Sequence, residues 1–216
     1  MRFADRADAG RRLARALVSY RDRNPVVLAL PRGGLPVAAE IAAALAAPLD
    51  VVLARKIGAP WQPELAMGAV VEGEPPTVAR NEAIIRAAGV DTRAFAAATQ
   101  RALAELENAR RRLVGDRPRA KIAGRAAILV DDGAATGATA LAALQALRRR
   151  GAMTLTLALP VASAEALAAL RREADDLVCL EAPVCFDAVS AFYDDFRQVE
   201  DDEAVALVAR FSPPAD

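Results

Sequence analysis

Short apolar runs and helically spaced apolar positions take turns along this chain. Residues 3–17, FADRADAGRRLARAL, place Ala9, Leu13, Ala16 and Leu17 at helical spacing and predict a first helix. The run PVVLAL (25–30) has no polar position and predicts a buried strand. GGLPVAAEIAAALAA (33–47) then puts Leu35, Ala38, Ile41 and Leu45 on one helical face, with Pro36 suited to a first turn. DVVLARK (50–56) predicts the next strand. Strand, helix and strand in this order make one unit of a parallel sheet.

The rhythm breaks over 57–80, where Gly and Pro punctuate the chain; AMGAVVEGEPPTVA (66–79) predicts a loose hairpin there. A short helix over 81–88 and a long one over about 91–113 follow, the second carrying Phe95, Leu103, Leu106 and Leu113. Then the alternation resumes. RAAILV (125–130), MTLTLALP (153–160) and DLVCLEAP (176–183) predict strands. TGATALAALQALRRRG (136–151) predicts a helix that Gly151 stops, and SAEALAALRREA (163–174) one that Ser163 caps. VCFDAVSAFYDDFRQV (184–199) gathers most of the late aromatics, and DDEAVALVARF (201–211) predicts a terminal helix. The expected fold class is α/β, a Rossmann-like parallel sheet with helices on both faces.

Composition narrows what such a sheet can do. The chain has 216 residues, 54% of them apolar, enough to bury one full core. Its formal net charge is 0, which argues against a general nucleic-acid or membrane-surface binder. The apolar runs are far shorter than a membrane span. The N-terminus, MRFADRADAGRR, is charged, and a cytoplasmic protein is expected. Cys179 and Cys185 stand in no CxxC or metal pattern. With 0 histidines, a Ser-His-Asp triad and histidine-ligated metals are excluded.

One stretch carries chemistry. In ILVDDGAATGAT (128–139) an apolar strand ends in two aspartates, and a loop of small residues leads into a helix. Ligands of parallel sheets bind beyond the carboxyl ends of the strands. There Asp131 and Asp132 can accept hydrogen bonds from sugar hydroxyls. The backbone of Gly133, Ala134, Ala135, Thr136, Gly137, Ala138 and Thr139 can approach a phosphate, which the helix N-terminus favours. The GK[ST] of a P-loop is missing, and the spacing is wrong for GxGxxG. A tight strand–helix turn capped by Asp is the plainer reading.

ILVDDGAATGAT resembles the phosphoribosyl pyrophosphate (PRPP) motif of the type I phosphoribosyltransferases. LPRGG (30–34) resembles that family's pyrophosphate loop, and ARK (54–56) the point where its flexible loop begins. The order of elements agrees from about residue 25 to 182. The resemblance implies a core over 1–182, with a flexible loop at 57–80 and a helical insertion at 81–115. The insertion packs beside that loop or in an oligomer interface. A C-terminal hood over 183–216 completes the single domain.

By the same resemblance, Asp131 and Asp132 hold the ribose hydroxyls, and residues 133–139 hold the 5′-phosphate. Arg32, Gly33 and Gly34 contact pyrophosphate through a strained or cis peptide, and Arg55 and Lys56 neutralise its oxygens. Lys56, Arg32, Asp131 and Asp132 are the catalytic set. Phe186, Phe192 and Tyr193 are candidates to stack on a base. No metal is bound directly by protein; Mg²⁺ arrives with PRPP. The implied partners are PRPP and a small nitrogenous base, with a homodimer as the assembly considered and neither membrane nor nucleic acid. The implied activity is transfer of phosphoribosyl to a base with release of pyrophosphate. Each residue also has a plainer role: Arg32 as a turn residue, Arg55 and Lys56 as end-of-strand charges, Trp61 as a surface anchor, the aromatics as the hood's own core. Members that act on 6-oxopurines carry an acid just before TG, where this chain has Ala135. A non-catalytic PRPP-sensing regulator and a convergent phosphosugar enzyme or hydrolase therefore stand beside the transferase.

Overall fold

The computed structural model of the chain describes residues 2–73 and 75–211. Its centre is a five-stranded sheet built from β1 (Val26–Ala29), β2 (Leu49–Val51), β6 (Ala126–Val130), β7 (Thr154–Val161) and β8 (Asp176–Glu181). The strands lie in the order β2-β1-β6-β7-β8, parallel at every pairing. Every residue of β1 and β6 is buried, because helices cover both faces. Alternation along β1 divides the core. Val27 and Ala29 face α1 (Arg6–Ala16), α2 (Gly34–Leu45) and α7 (Asp201–Arg210). Val26 and Leu28 face α5 (Ala138–Arg149) and α6 (Ala164–Leu170). The expected α/β class, with helices on both faces, is what the chain forms.

Two segments differ from the sequence pattern. The single strand expected over 50–56 is two. β2 pairs with β1; after Leu53 the chain leaves the parallel sheet as β3 (Ala54–Ala59). The switch is made by hydrogen bonds: Val52 N–H still donates to the Ala29 carbonyl, whereas Leu53 N–H donates to Glu72 Oε1 at 3.0 Å. The 57–80 stretch is more ordered than a loose hairpin. β3, β4 (Gln62–Val71) and β5 (Thr77–Arg80) form a three-stranded antiparallel sheet, with Lys56 opposite Ala69 and Val71 opposite Thr77. Its apolar positions Ile57, Met67 and Val70 join a core that includes Phe95, Ala98, Ala102 and Leu106 of α4 (Thr92–Val114). Asn81 caps α3 (Glu82–Ala87) and Asp91 caps α4, each accepting a hydrogen bond from the third residue on.

A buried ionic cluster fastens the small sheet to the core. Glu72 Oε2 accepts from Arg110 Nη1 of α4 at 3.0 Å, and Arg119 Nε lies 3.4 Å from the same oxygen. Asp50 of β2 accepts from Ala120 N–H at 2.7 Å, and Arg110 Nη2 lies 3.6 Å from its carboxylate.

The N-terminal segment pairs with the far end of the chain. Phe3 N–H donates to the Phe192 carbonyl, and Asp194 N–H donates to the Phe3 carbonyl, both at 2.9 Å. Phe3, Ala9, Val161 and Tyr193 form a small core of their own, with Phe186, Phe192 and Phe196 packed against it.

Candidate active site

β1 and β6 are neighbours in register, with Ala29 opposite Val130, so the loops that leave them emerge side by side. Leu30 N–H extends the ladder to the Val130 carbonyl at 2.9 Å. This places PRGG of the first loop against DDGAATGAT of the second. Neither glycine leaves room for a side chain. A Cβ at Gly34 would fall 2.7 Å from the Val130 carbonyl oxygen, and one at Gly33 would meet the Asp132 carboxylate. The Pro31–Arg32 peptide bond is cis.

The two aspartates are held differently. Asp131 Oδ1 accepts from Asp132 N–H at 2.9 Å. Burial and the adjacent Asp132 charge push the Asp131 carboxyl well above its ordinary value. Asp132 Oδ2 accepts from Arg6 Nε at 2.8 Å, and its carbonyl accepts from the Tyr193 hydroxyl at 2.6 Å.

The loop that follows is tied to the end of β7. Ala134 N–H donates to the Val161 carbonyl and Ser163 N–H to the Ala134 carbonyl, both at 3.0 Å. The Ser163 hydroxyl caps α6 and also donates to the Ala135 carbonyl at 2.6 Å. Gly137, at φ +71°, opens α5 with no side-chain cap, and Ala138 N–H reaches the Thr136 hydroxyl only at 3.4 Å. The first turn of α5 thus has no side-chain cap beyond this long contact, and the helix dipole there favours an anion. The site can receive a phosphate at α5 and hydroxyl donors at the aspartates, one loop apart.

Beyond the first loop lies a cleft of about 320 Å³, walled by Pro31, Arg32, Ala54, Arg55, α4 and α7. Arg32 Nη1 pairs with Asp201 Oδ1 at 2.8 Å, and Arg55 Nη2 with Glu105 Oε2 at 2.8 Å. Arg112 of α4 lines the same cleft. Lys56 does not line it: as the next residue along β3 it points to the opposite face, where it is exposed. Of the aromatic candidates, Tyr193 is 2% exposed, its ring tilted against Phe3 and Phe196. It braces the Asp132 backbone and presents no open face to a base. Phe186 and Phe192 stack on each other with centroids 5.6 Å apart and remain half-buried.

Sequence reasoning missed Arg6, Arg112 and Ser163's second bond. Arg6 and Arg112 sit among many arginines on amphipathic helices, and nothing local separates them from surface charges. Ser163 is recognisable as a cap, but its bond to Ala135 depends on the β6–β7 pairing.

The family model of the phosphoribosyl transferase domain matches residues 3–196. A provisionally named phosphoribosyl transferase of Mycobacterium tuberculosis strain H37Rv is 45% identical over 208 residues, 96% of this chain. This chain spans 46% of that relative's length, and the same holds for the counterpart in strain CDC 1551 / Oshkosh. The crystal structure of TT1426 from Thermus thermophilus shares the fold at a TM-score of 0.84 and 41% identity, covering 99% of this chain and 100% of that one.

Proposed function

The chain belongs to the phosphoribosyl transferase family, and we propose that it moves a phosphoribosyl group from PRPP to a nitrogenous base, releasing pyrophosphate. One observation carries the reading: PRGG and DDGAATGAT abut at the carboxyl ends of β1 and β6. Their contact supports a reading of three subsites in the order that PRPP needs. The 5′-phosphate takes the open N-terminus of α5 and the Thr136 and Thr139 hydroxyls. The ribose hydroxyls donate to Asp131 and Asp132. The diphosphate lies along Arg32, Gly33 and Gly34, toward the cleft that Arg55 and Arg112 also line.

No protein nucleophile is needed, because the base nitrogen replaces pyrophosphate at C1. The residues position both reactants and stabilise the charge that grows on the leaving group. Arg32 and Arg55 are suited to that charge once the incoming anion competes with Asp201 and Glu105. Lys56 stands on the other face of β3 and takes no part in this arrangement.

Mg²⁺ fits the site as a cation brought by the substrate. Among the described residues no group of three or more acidic, Cys or His side chains could hold a metal. Asp131 and Asp132 would lie as a pair beside the diphosphate path, and a cation that dehydrates reluctantly would keep water and phosphate oxygens there. When bound it would neutralise leaving-group charge.

A second reading, PRPP sensing without turnover, draws on Ala135, which offers no acid to handle a base proton. A screen of bases for PRPP-dependent pyrophosphate release separates the two. Steady release with one base, lost on replacing both Asp131 and Asp132 by Asn, supports the transferase. PRPP binding without release from any base supports the sensor.

A further inference from the structure

Several contacts converge on a side chain that lies outside every motif. Arg6, the first residue of α1, donates through Nε to Asp132 Oδ2 at 2.8 Å and through Nη1 to the Arg197 carbonyl at 2.7 Å. Its guanidinium carbon lies 3.8 Å from the centre of the Phe196 ring. The Arg6 and Asp132 side chains are 11% and 15% exposed, so solvent screens the pair little. The guanidinium is thus held by three partners, two of which belong to the hood.

Asp132 is correspondingly constrained. Arg6 occupies Oδ2, and the backbone of Gly33 crowds the same oxygen. The Asp131 carboxyl is hydrogen-bonded to the same carboxylate. Tyr193 anchors the backbone of the same residue through its carbonyl. The Asp132 carboxylate is therefore held in place by Arg6 and by its own anchored backbone.

We propose that Arg6 is a positioning residue for the sugar: it holds the Asp132 carboxylate in place for a ribose hydroxyl, and it couples that geometry to the hood through Phe196 and Arg197. This rests on the reading of Asp131 and Asp132 as the ribose-hydroxyl acceptors. The charge balance agrees with it. Two carboxylates sit side by side at a buried strand end, and the Arg6 charge lowers the Asp131 pKa, offsetting part of what burial and Asp132 raise. A buried ion pair kept only for stability would be a poor device, since apolar side chains of similar size commonly serve as well. A guanidinium that bridges a ligand-binding carboxylate and a hood carbonyl does what an apolar pair cannot.

Calorimetric titration with two probes, ribose 5-phosphate and inorganic phosphate, tests the proposal. The wild type is expected to bind ribose 5-phosphate more tightly than phosphate. Arg6→Gln is expected to weaken ribose 5-phosphate by about tenfold or more, the scale of one hydrogen bond to a charged group, while phosphate binding at α5 holds. Arg6→Lys, which keeps the charge without the fork, is expected to recover part of the loss. Phe196→Leu, which removes only the platform, is expected to show a smaller loss in the same direction; it decides the matter if Arg6→Gln fails to fold. Full ribose 5-phosphate affinity in folded variants would overturn the proposal, as would equal losses for both probes, which mark general damage. A wild type that prefers neither probe overturns the ribose reading itself, and the role of Arg6 with it.

Discussion

Gly33 stands so close to Asp132 that a Cβ there would fall 2.2 Å from Oδ2, the oxygen that Arg6 holds. The loop after β1 therefore sets how far the Asp132 carboxylate can move. Gly33→Ala must displace either the carboxylate or the loop, at a cost of about 1–3 kcal/mol of stability for overpacking. Ribose 5-phosphate affinity should fall with it. Thermal unfolding and titration check both; an unchanged Tm together with unchanged affinity would show that the loop has slack.

Asp131 is expected to be a site where function opposes stability. Its folded-state pKa is raised, by burial first and the Asp132 charge second, above the ordinary value of 3.8. The stability this group contributes is present in full below that ordinary value and is lost as pH rises through the folded pKa. Asp131→Asn removes that dependence and keeps an acceptor for the Asp132 N–H. Its Tm should match the wild type near pH 3.5, within about a degree or two, and exceed it increasingly toward neutrality. PRPP binding should be lost at the same time. A Tm difference that does not change with pH would refute the assignment.

Gly137→Val should abolish the phosphate cradle. The residue holds φ +71°, and its Cβ would lie 2.9 Å from Leu170 Cδ1. A β-branched residue tolerates neither condition. Inorganic phosphate should raise the Tm of the wild type but barely that of the variant. Thr139→Ala should be milder, losing about 1.5–3 kcal/mol of binding for one hydrogen bond to a charged group. If both variants are protected like the wild type, the phosphate does not sit at α5.

Arg32 and Asp201 are 37% and 67% exposed at their side chains, so their pair is worth no more than about 1 kcal/mol. Asp201→Asn frees Arg32 for a diphosphate and should tighten pyrophosphate binding by up to about fivefold, more at low salt. Arg112→Ala should weaken pyrophosphate and leave ribose 5-phosphate unaffected. A loss of pyrophosphate affinity in Asp201→Asn would mean that the pair orients Arg32 rather than competing for it.

Arg110→Ala would take from Glu72, which is 1% exposed, the guanidinium 3.0 Å away and leave it Arg119 at 3.4 Å. With Arg119 still beside Glu72, the cost should fall below the figure of about 3–5 kcal/mol for a buried charge left with no partner. The small sheet should detach first, because Glu72 is also the acceptor for Leu53 N–H where β2 gives way to β3. Hydrogen exchange that quickens at 54–80 before the parallel sheet would show it; uniform exchange would mean that the cluster does not fasten the sheet.

Much of this molecule is legible in local pattern. The buried strands read as apolar runs because both of their faces are covered, and the helices α1, α2, α5, α6 and α7 read from spacing, with Ser163 and Gly151 marking ends. The loop proposed to hold phosphate is legible for the same reason: small residues between a strand and a helix are needed wherever the backbone itself must reach an anion. The antiparallel sheet was harder to see. β3 continues an apolar run that belongs to β2, and only the hydrogen bond from Leu53 N–H to the buried Glu72 marks the change of partner.

The sequence by itself determined the α/β alternation, the two loops at the strand ends and the identity of the acids between them, because each depends on contacts within a few residues. The tertiary structure decided which of those groups meet. The neighbouring of β1 and β6 brings Gly33 to Asp132 across about a hundred residues. The pairing of Phe3 with Phe192 and Asp194 closes the chain's two ends and delivers Arg6 to Asp132. The same long-range packing buries Tyr193, which the family resemblance made a candidate base platform, and turns Lys56 away from Arg55. Arginines and aromatics carry no local signal for these outcomes: their side chains are long, and what they touch is set by the elements packed around them.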